Sequence, residues 1–522
     1  MEREPASIPK RTVTLVSLER GWLEFGISAL ALTLILALCW YLAGQLIQQT
    51  NLQLGPVRDV KTGQVQGDQD QKHNINQALL TRDEAATATS EDWSGTLHQD
   101  MPHRTDGVVA PLWPWVASRL APQEAVYSEF TVSEADREFF VRGKWVNVSI
   151  VLVFLWCLGL VMARAFRPAA VVAVLLLGAF GALLPRAVYF QPEPLYYLFF
   201  FLSWVCAVRL LIQNDLWLHC LFGVLSGLAW LAKTSVEPLL LTWFAVSAWR
   251  FLGGWFRKEE QEYRWTSRNH FFGLIIFALG WMAVVSPRYS YAEEKWGDAR
   301  FSYPEAWMWF DNFAQGEDWM RNYPGKAALE QMPEGTKPSL WRYAKTHTTE
   351  QMASRLVDGY WQTMSQWLAP EIVKQNPDRP FAGWRVLLDR RGIYLGAAAA
   401  VFLGAAVLMW SRRRAHAGAG MPLPCGAGAA GMFVVGTLLA YALLYGWYHP
   451  IGHGDRFMLS LYLPLVFSVV WGAENLLDMA LIRNAPPWTA WVYQAALWIL
   501  NAAVAWRLIE ILRQPVFNPD TL

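Results

Sequence analysis

The sequence is poor in charged residues: Asp, Glu, Lys and Arg together make up 17% of its 522 residues, while hydrophobic residues make up 54%. Soluble domains usually contain about a quarter charged residues, so this deficit argues against a string of water-soluble domains. The net charge of +1 gives no basis for nucleic-acid binding. The 30 tryptophans, by contrast, are far more than a soluble chain usually carries. The composition therefore predicts a polytopic membrane protein.

Cysteine is also scarce. The five cysteines lie in or beside apolar runs, and no two of them have the C-x-x-C spacing. This pattern disfavours both a disulfide framework and a cysteine metal site, so we expect packing thiols. A small-x-small cleavage site is missing after the first apolar run, which we interpret as an uncleaved membrane anchor.

Long apolar runs dominate the rest of the chain. Runs of about 15–24 residues predict an all-α polytopic membrane protein with about eleven transmembrane helices. The predicted spans cover residues 22–46, 146–163, 169–184, 195–212, 216–232, 236–250, 271–286, 393–410, 427–446, 457–477 and 488–508. Two long polar segments, residues 47–145 and 287–392, interrupt these spans.

Lysine and arginine concentrate in alternate connections, for example in the cluster from Arg250 to Arg268 and in Arg412 to Arg414. The positive-inside rule places these connections and the N-terminus in the cytoplasm. Both long polar segments are then large extracytoplasmic loops of a multi-pass inner-membrane protein, which we take to be bacterial. An odd number of spans leaves the C-terminus outside, and Arg507 and Arg513 argue against that side.

Carboxylates occur about twenty residues after the first span, in the stretch GDQDQKHNINQALL, residues 67–80. Asp68 and Asp70 precede a short helical pattern, so each is a candidate either for a site or for a helix cap. Asp106 follows Arg104 in RTDGVVAPLWPWVASRLAP, whose apolar face and paired tryptophans predict an interfacial helix. The Asp106-Gly107 pair alone is typical of a turn.

Cations are rare in the short connections that are predicted to lie outside, and each lies at the edge of a span. They are Arg186, Lys233 and Arg456. Ionisable residues at membrane depth often mark function, although a single one is more often a snorkelling side chain. Glu193 stands between two prolines close to Arg186, which predicts either a loop ion pair or a buried polar site.

Two further patterns leave alternatives open. His449, His453 and Asp455 could suggest a metal site, but their spacing matches no helix-face motif well, so no metal ligands are assigned. The second polar segment has eight tryptophans from Trp296 to Trp384. Tryptophans stack on sugars and also anchor interfacial helices, and we expect the second role for most of them.

Several of these stretches, in this order, resemble a known family. GDQDQKHNINQALL, PLWPW, QPEPLYYLFFF, GVLSGLAWLAKTS and DRFMLSLYLPL are similar to segments of the GT-C-type glycosyltransferases, which include aminoarabinose transferases and protein mannosyltransferases (family 39). The chain departs from the family by having Asp-Gln-Asp at the first acidic site and Glu193 where Asp is usual. The resemblance covers roughly residues 20–290, and a weaker similarity is found near residues 450–475.

The resemblance implies a GT-C-like catalytic module at residues 1–290, an acceptor-side loop at 287–392 and C-terminal helices at 393–522. It implies transfer of a sugar from a polyprenyl-phosphate donor to an unknown acceptor outside the cytoplasm, without a required cofactor, although a divalent metal stays open. The implied catalytic residues are Asp68 or Asp70 as general base and Glu193 as an orienting group. The implied substrate- and phosphate-binding residues are Arg104, Asp106, Arg186, Lys233, His453 and Arg456.

Other functions compete with this interpretation. A transporter or lipid flippase would have charges deep inside its spans and helices broken near the midplane. A polysaccharide polymerase or ligase would share the lipid donor and the outer basic residues. The sequence also leaves open a homologue without activity that acts as a structural membrane protein.

Overall fold

The computed structural model describes residues 22–50, 57–58, 65–66, 69–87, 106–126, 133–213, 215–256, 261–368, 392–404, 427–452, 458–482 and 486–512. In these ranges the regular secondary structure is helical, apart from the antiparallel pair of β1 (Val57–Arg58) and β2 (Val65–Gln66).

The helices follow in chain order. They are α1 (Trp22–Thr50), α2 (Gln69–Thr87), α3 (Leu112–Ser118), α4 (Glu134–Ala165), α5 (Pro168–Gly178), α6 (Leu184–Ala187), α7 (Glu193–Ile212), α8 (Leu216–Ala232), α9 (Glu237–Phe256), α10 (Gln261–Trp296), α11 (Tyr303–Trp307), α12 (Phe313–Asn322), α13 (Lys326–Glu330), α14 (Leu340–Thr346), α15 (Thr349–Leu368), α16 (Gly392–Gly404), α17 (Ala427–Tyr448), α18 (Tyr462–Ile482) and α19 (Trp488–Leu512). A π-helical segment (Ala179–Leu183) joins α5 to α6, and 3₁₀ turns (Thr234–Val236 and Leu459–Leu461) precede α9 and α18.

Within the described residues, eight helical segments are long and apolar enough to cross a membrane. Of the other predicted spans, α8 and α16 are apolar but shorter, and α9 is not among the eight. The multi-pass membrane architecture is therefore confirmed, whereas the count of eleven spans stays a prediction.

Two helices extend well beyond their predicted spans. The span predicted at 146–163 is part of α4, which already begins at Glu134 because Ser133 and Asp136 form a reciprocal capping box. The span predicted at 271–286 continues as α10 through Pro287 to Trp296. Apolar runs mark only the lipid-matched part of a helix, so they miss such polar extensions.

The centre of the bundle is the segment from Pro168 to Ala187, whose apolar stretch is completely buried. Helices α8 and α10 pack closely alongside each other. A Cβ on Gly223 would overlap the backbone of Phe277, and one on Gly280 would overlap the backbone of Cys220. Small residues allow this backbone approach, which is a common way for helices to pack in membranes.

The bundle has two polar ends. We call the end that contains residues 186–193, 233–237 and 446–452 the site end, and the opposite end the far end. The segment after α10 folds over the site end around a small aromatic core of its own, in which Trp296, Phe301, Tyr303 and Trp319 are buried. The backbone N–H of Tyr303 donates to the carbonyl of Gly107 at 3.0 Å, so the two long connections meet there.

Candidate functional site

Helix α2 has a polar face that is buried in the protein. Gln71, Asn74 and Gln77 are all buried, at 3%, 4% and 8% exposure. Burying carboxamides is costly unless they form hydrogen bonds. The side-chain oxygen of Gln71 accepts a hydrogen bond from the backbone N–H of Phe190 at 2.8 Å. The helix that follows the first acidic stretch is thereby bound to the turn that precedes Glu193.

This turn, residues 188–192, is held from a second side by α4. The side-chain amide of Asn147 donates to the carbonyl oxygens of Tyr189 and Gln191, at 3.0 Å each. The Phe190 ring is fully buried, and Gly143 provides the space for it, since a Cβ at that position would overlap the ring. The turn is therefore a packed part of the site end.

Glu193 begins α7, directly after Pro192, whose restricted φ suits a helix start. The residue is only 3% exposed. One carboxylate oxygen, Oε1, accepts a hydrogen bond from Lys233 Nζ at 3.2 Å. Within the described residues the other oxygen, Oε2, has no hydrogen-bond partner. The ion pair recorded for Glu193 is thus with Lys233, not the Arg186–Glu193 pair that the sequence offered as the simpler alternative.

Lys233 ends α8 in an extended conformation, with its backbone N–H still bonded to Ala229. Its ammonium lies 6.0 Å from the centre of the Tyr196 ring. The hydroxyl of Tyr441 donates to the carbonyl of Ser235 at 2.5 Å and lies 3.5 Å from the Tyr196 hydroxyl. Phenolic groups from α7 and α17 therefore border the Glu193–Lys233 pair. Arg186 lies at the same end, buried, with its guanidinium 5.9 Å from the Tyr189 ring centre.

Asp106 joins α2 to the next segment. Its Oδ1 accepts hydrogen bonds from the backbone of Val108 and Val109, which is the turn role that the sequence predicts for Asp106-Gly107. Its Oδ2 is bonded to His73 on α2, and its own N–H donates to Gln77.

The contact between His73 and Asp106 shifts the pKa of both side chains. For His73 the hydrogen bond with Asp106 outweighs burial, and the pKa is raised. For Asp106 burial opposes ionisation, but the contacts with His73 and the two backbone N–H groups outweigh it, and the pKa is lowered. Each side chain therefore favours the charged form of the other.

A second acidic group lies where the long segment after α10 meets α9. Glu237 Oε1 accepts hydrogen bonds from Arg300 at 2.8 Å and from the Trp230 indole at 3.2 Å. Burial and the nearby charge of Glu237 raise the pKa of Glu305 to about 7. A carboxyl group with this pKa can hold or release a proton near neutrality.

Two buried cations at the site end were not predicted as site residues from the sequence. Lys144 is completely buried, with its ammonium 4.0 Å from the centre of the Phe140 ring. Arg288 is 4% exposed and lies over the Trp296 ring at 5.0 Å. Each stands within two residues of a predicted span boundary, at 146 and 286, and a cation at such an edge is the sequence signal that could have identified it.

The far end has a separate buried ion cluster. Arg167 donates to Glu474 at 2.8 Å and to Asp478 at 2.6 Å, and both Arg167 and Glu474 are nearly inaccessible. The cluster links the start of α5 to α18. Because one guanidinium donates to two carboxylates on the same helix, we interpret the cluster as a structural contact that holds α5 against α18.

The interfacial position predicted for the tryptophan-rich segment after Asp106 is wrong in one respect. Helix α3 packs inside the protein, with Leu112, Trp113 and Ala117 buried. The same apolar pattern is typical of a helix on a lipid surface and of a helix in a protein interior. Here the apolar side chains of α3 pack inside the protein, where the helix contacts α2.

Some predicted site residues lie outside the described residues. These are Asp68, Arg104, His453, Asp455 and Arg456. Asp70 is described only by its backbone, in the first turn of α2. His449 is buried near the end of α17. In the part of the chain that the structure describes, no three His, Cys, Asp or Glu side chains are grouped to hold a metal ion.

The structure thus brings together the regions of five predicted site residues. They are Asp70, Arg186, Glu193, Lys233 and, through its contacts with α2, Asp106. In comparisons with known proteins, no family model, no curated protein and no solved structure matches the chain.

Proposed function

We propose that the protein is an integral-membrane glycosyltransferase that moves a sugar from a polyprenyl-phosphate carrier to an acceptor on the extracytoplasmic side. The observation that carries the proposal is the hydrogen bond between Gln71 and the backbone of Phe190. It joins the helix after the first acidic stretch to the turn before Glu193, whose carboxylate is paired with Lys233.

The chemistry of such a transfer requires a base and fixed cations. The acceptor must lose a proton as it attacks the sugar, and a positioned general base typically contributes about 10²–10⁴-fold to the rate. We assign this role to Asp68, with Asp70 as its competitor on the same stretch. Glu193, buried and held by Lys233, would orient the base or the acceptor.

The leaving group is an anionic phosphate on a lipid. Fixed cations stabilise such charge most effectively where water is excluded. The side chain of Lys233 is 21% exposed while the side chain of its partner Glu193 is only 4% exposed, so the ammonium is the accessible member of the pair. Lys233, Arg186 and Arg456 would hold the phosphate, with Arg104 and His453 as further contacts. A lipid carrier presents its headgroup at the membrane surface, and the site end lies at the ends of membrane-spanning helices.

The test is to reconstitute the purified protein in vesicles, supply a panel of polyprenyl-phosphate sugars and follow the loss of donor and release of the carrier. We expect one donor to be consumed, and we expect the Asp68→Asn or the Asp70→Asn variant to lose about 10²-fold or more of the rate. Asp83→Asn is the matched control, since Asp83 is an exposed carboxylate on the same helix.

Each result separates the alternatives. Turnover of no donor by the folded protein would favour transport or a structural role. A product that grows into a polymer would favour a polymerase. Equal loss of rate in the Asp83→Asn control would point to damage of α2 as a whole.

A further inference from the structure

Helix α15 (Thr349–Leu368) has an exposed apolar surface outside the helices of the bundle core. Val357, Tyr360 and Trp361 are 64%, 43% and 71% exposed, and Ala353 is exposed beside them. Large apolar side chains exposed together on one face of a helix indicate a surface that another molecule covers.

The helix presents three different sectors around its axis. One sector, with Arg355 and Gly359, packs on the protein. By the helical period of 3.6 residues, Tyr360, Ala353, Val357 and Trp361 form a continuous arc beside it. The remaining sector is polar and exposed, and consists of Ser354, Asp358, Gln351 and Gln362.

Contacts with α17 fix the rotation of α15 about its axis. A Cβ on Gly359 would overlap the carbonyl oxygen of Gly446, so the two helices meet there without side chains between them. Arg355 donates to the carbonyl oxygens of Trp447 at 3.0 Å and Met308 at 3.1 Å. The apolar arc is therefore held in one orientation.

The apolar arc of α15 lies next to an exposed apolar face of α17. Leu439, Leu443 and Gly446 follow at i, i+4 and i+7, on one face of α17. Leu439 and Leu443 are 52% and 56% exposed on a helix that is apolar and long enough to cross the membrane. Helix α15 crosses this same face one turn further out, near the end of α17 at Tyr448.

We propose that α15 lies in the outer boundary of the bilayer, with its apolar arc (Ala353, Val357, Tyr360 and Trp361) inserted among lipid chains and its polar sector in water. The arc continues the exposed apolar face of α17, and a helix with both an exposed apolar sector and an exposed polar sector is the type that binds in the membrane interface. Tyrosine and tryptophan are the side chains that concentrate at this depth. A bilayer therefore fits the arc as its occupant, and the inference is independent of the catalytic role proposed above.

Fluorescence quenching in vesicles of phosphatidylcholine and phosphatidylglycerol tests the position of each sector. The five cysteines of the full-length chain are first replaced by alanine. A single fluorescent label is then attached through Val357→Cys or Trp361→Cys. The matched controls carry the label through Ser354→Cys or Asp358→Cys. We expect a phospholipid with a nitroxide high on its acyl chain to quench most of the emission at 357 and 361. Aqueous iodide should quench 354 and 358 instead.

Two outcomes would overturn the proposal. Strong iodide quenching at 357 and 361 would place the arc in water. Protection of these positions from both quenchers would mean that a protein surface or a second copy of the chain covers the arc.

A second measurement keeps the natural cysteines, in case their replacement disturbs folding. Trp361→p-benzoylphenylalanine is introduced, and the vesicles are irradiated. A phospholipid adduct on the peptide that contains position 361 supports the bilayer contact, whereas a cross-linked dimer without lipid adduct contradicts it.

Discussion

The side-chain oxygen of Gln71 lies 2.8 Å from the backbone nitrogen of Phe190, although 119 residues separate the two in sequence. Both residues are buried, Gln71 at 3% exposure and Phe190 at 0%. This bond links the first long connection directly to the turn that precedes Glu193. It is one of the contacts that fix α2 over the site end, together with the hydrogen bonds of His73 and Gln77 to Asp106.

Replacing Gln71 by leucine should weaken this link. The N–H of Phe190 would stay buried without an acceptor, which costs about 1–3 kcal/mol. We expect a lower melting temperature of the purified protein and a loss of donor turnover that exceeds the loss of stability. Asn76→Leu is the control, since Asn76 lies on the same helix and is partly exposed. Equal turnover in the two variants would mean that the bond does not support the site.

The ion pair of Glu193 and Lys233 allows a double-mutant cycle. Lys233→Met removes the cation that we assign to the phosphate and leaves a buried carboxylate unpaired, so donor turnover should fall about 10²-fold. Residues that act as a unit give non-additive effects, so Glu193→Gln combined with Lys233→Met should be little worse than either single change. Strictly additive losses would contradict a joint role. The exposed Lys345→Met variant serves as control.

Glu193 and Lys233 could each be identified as candidate site residues, because an acid between two prolines and a cation at the edge of a predicted span are visible locally in the sequence. Their ion pair at 3.2 Å could not, since the sequence offered the neighbouring Arg186 as the partner of Glu193. Asn147 was not predictable in the same way. It lies inside an apolar run, and its role arises only when α4 packs against the turn and supplies donors to Tyr189 and Gln191.

Long-range charge pairing was the least predictable feature. Arg167 lies in the short connection between the predicted spans at 146–163 and 169–184, and in the structure it is buried against Glu474, 307 residues further along. No local pattern encodes a pair at this separation. The true ends of helices were also hard to predict. Helix α4 begins at Glu134 through a capping box, in a segment too polar to be recognised as part of a span.

Removal of Arg167 should strongly destabilise the fold. The Arg167→Met variant would leave the buried Glu474 and the partly buried Asp478 without their cation, and breaking a buried pair in this way costs about 3–5 kcal/mol. Thermal unfolding in detergent measures the effect. Arg164→Met is the control, because Arg164 is exposed on the neighbouring helix turn. Adding Glu474→Gln and Asp478→Asn should restore part of the stability, and no recovery would contradict the ion-cluster explanation.

The His73–Asp106 pair predicts a pH dependence of stability. The pKa of His73 is raised, so its contribution is complete below the unfolded value of 6.5 and is lost as the pH rises through the folded pKa. The pKa of Asp106 is lowered, so its contribution is complete above 3.8 and is lost as the pH falls through the folded pKa. The pair therefore stabilises the fold most in the mildly acidic range between these limits.

His73→Gln should accordingly lower the melting temperature at about pH 6 and have little effect at about pH 9. The loss should be about 1 kcal/mol or less, since both side chains are about one third exposed and solvent screens their interaction. In the Asp106→Asn background the same substitution should have no further pH-dependent effect. A loss of equal size at both pH values would show that His73 stabilises by packing and not by charge.

Gly359 provides a test of how α15 is seated on α17. An added methyl group would overlap the carbonyl oxygen of Gly446, which is backbone and cannot rotate away. Overpacking of this kind costs about 1–3 kcal/mol, so Gly359→Ala should increase protease cleavage within α15 and lower the melting temperature. Gly472→Ala is the matched control, because a Cβ there meets no atom within 4 Å. Should both variants resist protease like the natural chain, α15 would be held mainly by the Arg355 hydrogen bonds to Trp447 and Met308, and Arg355→Met would then be expected to release it.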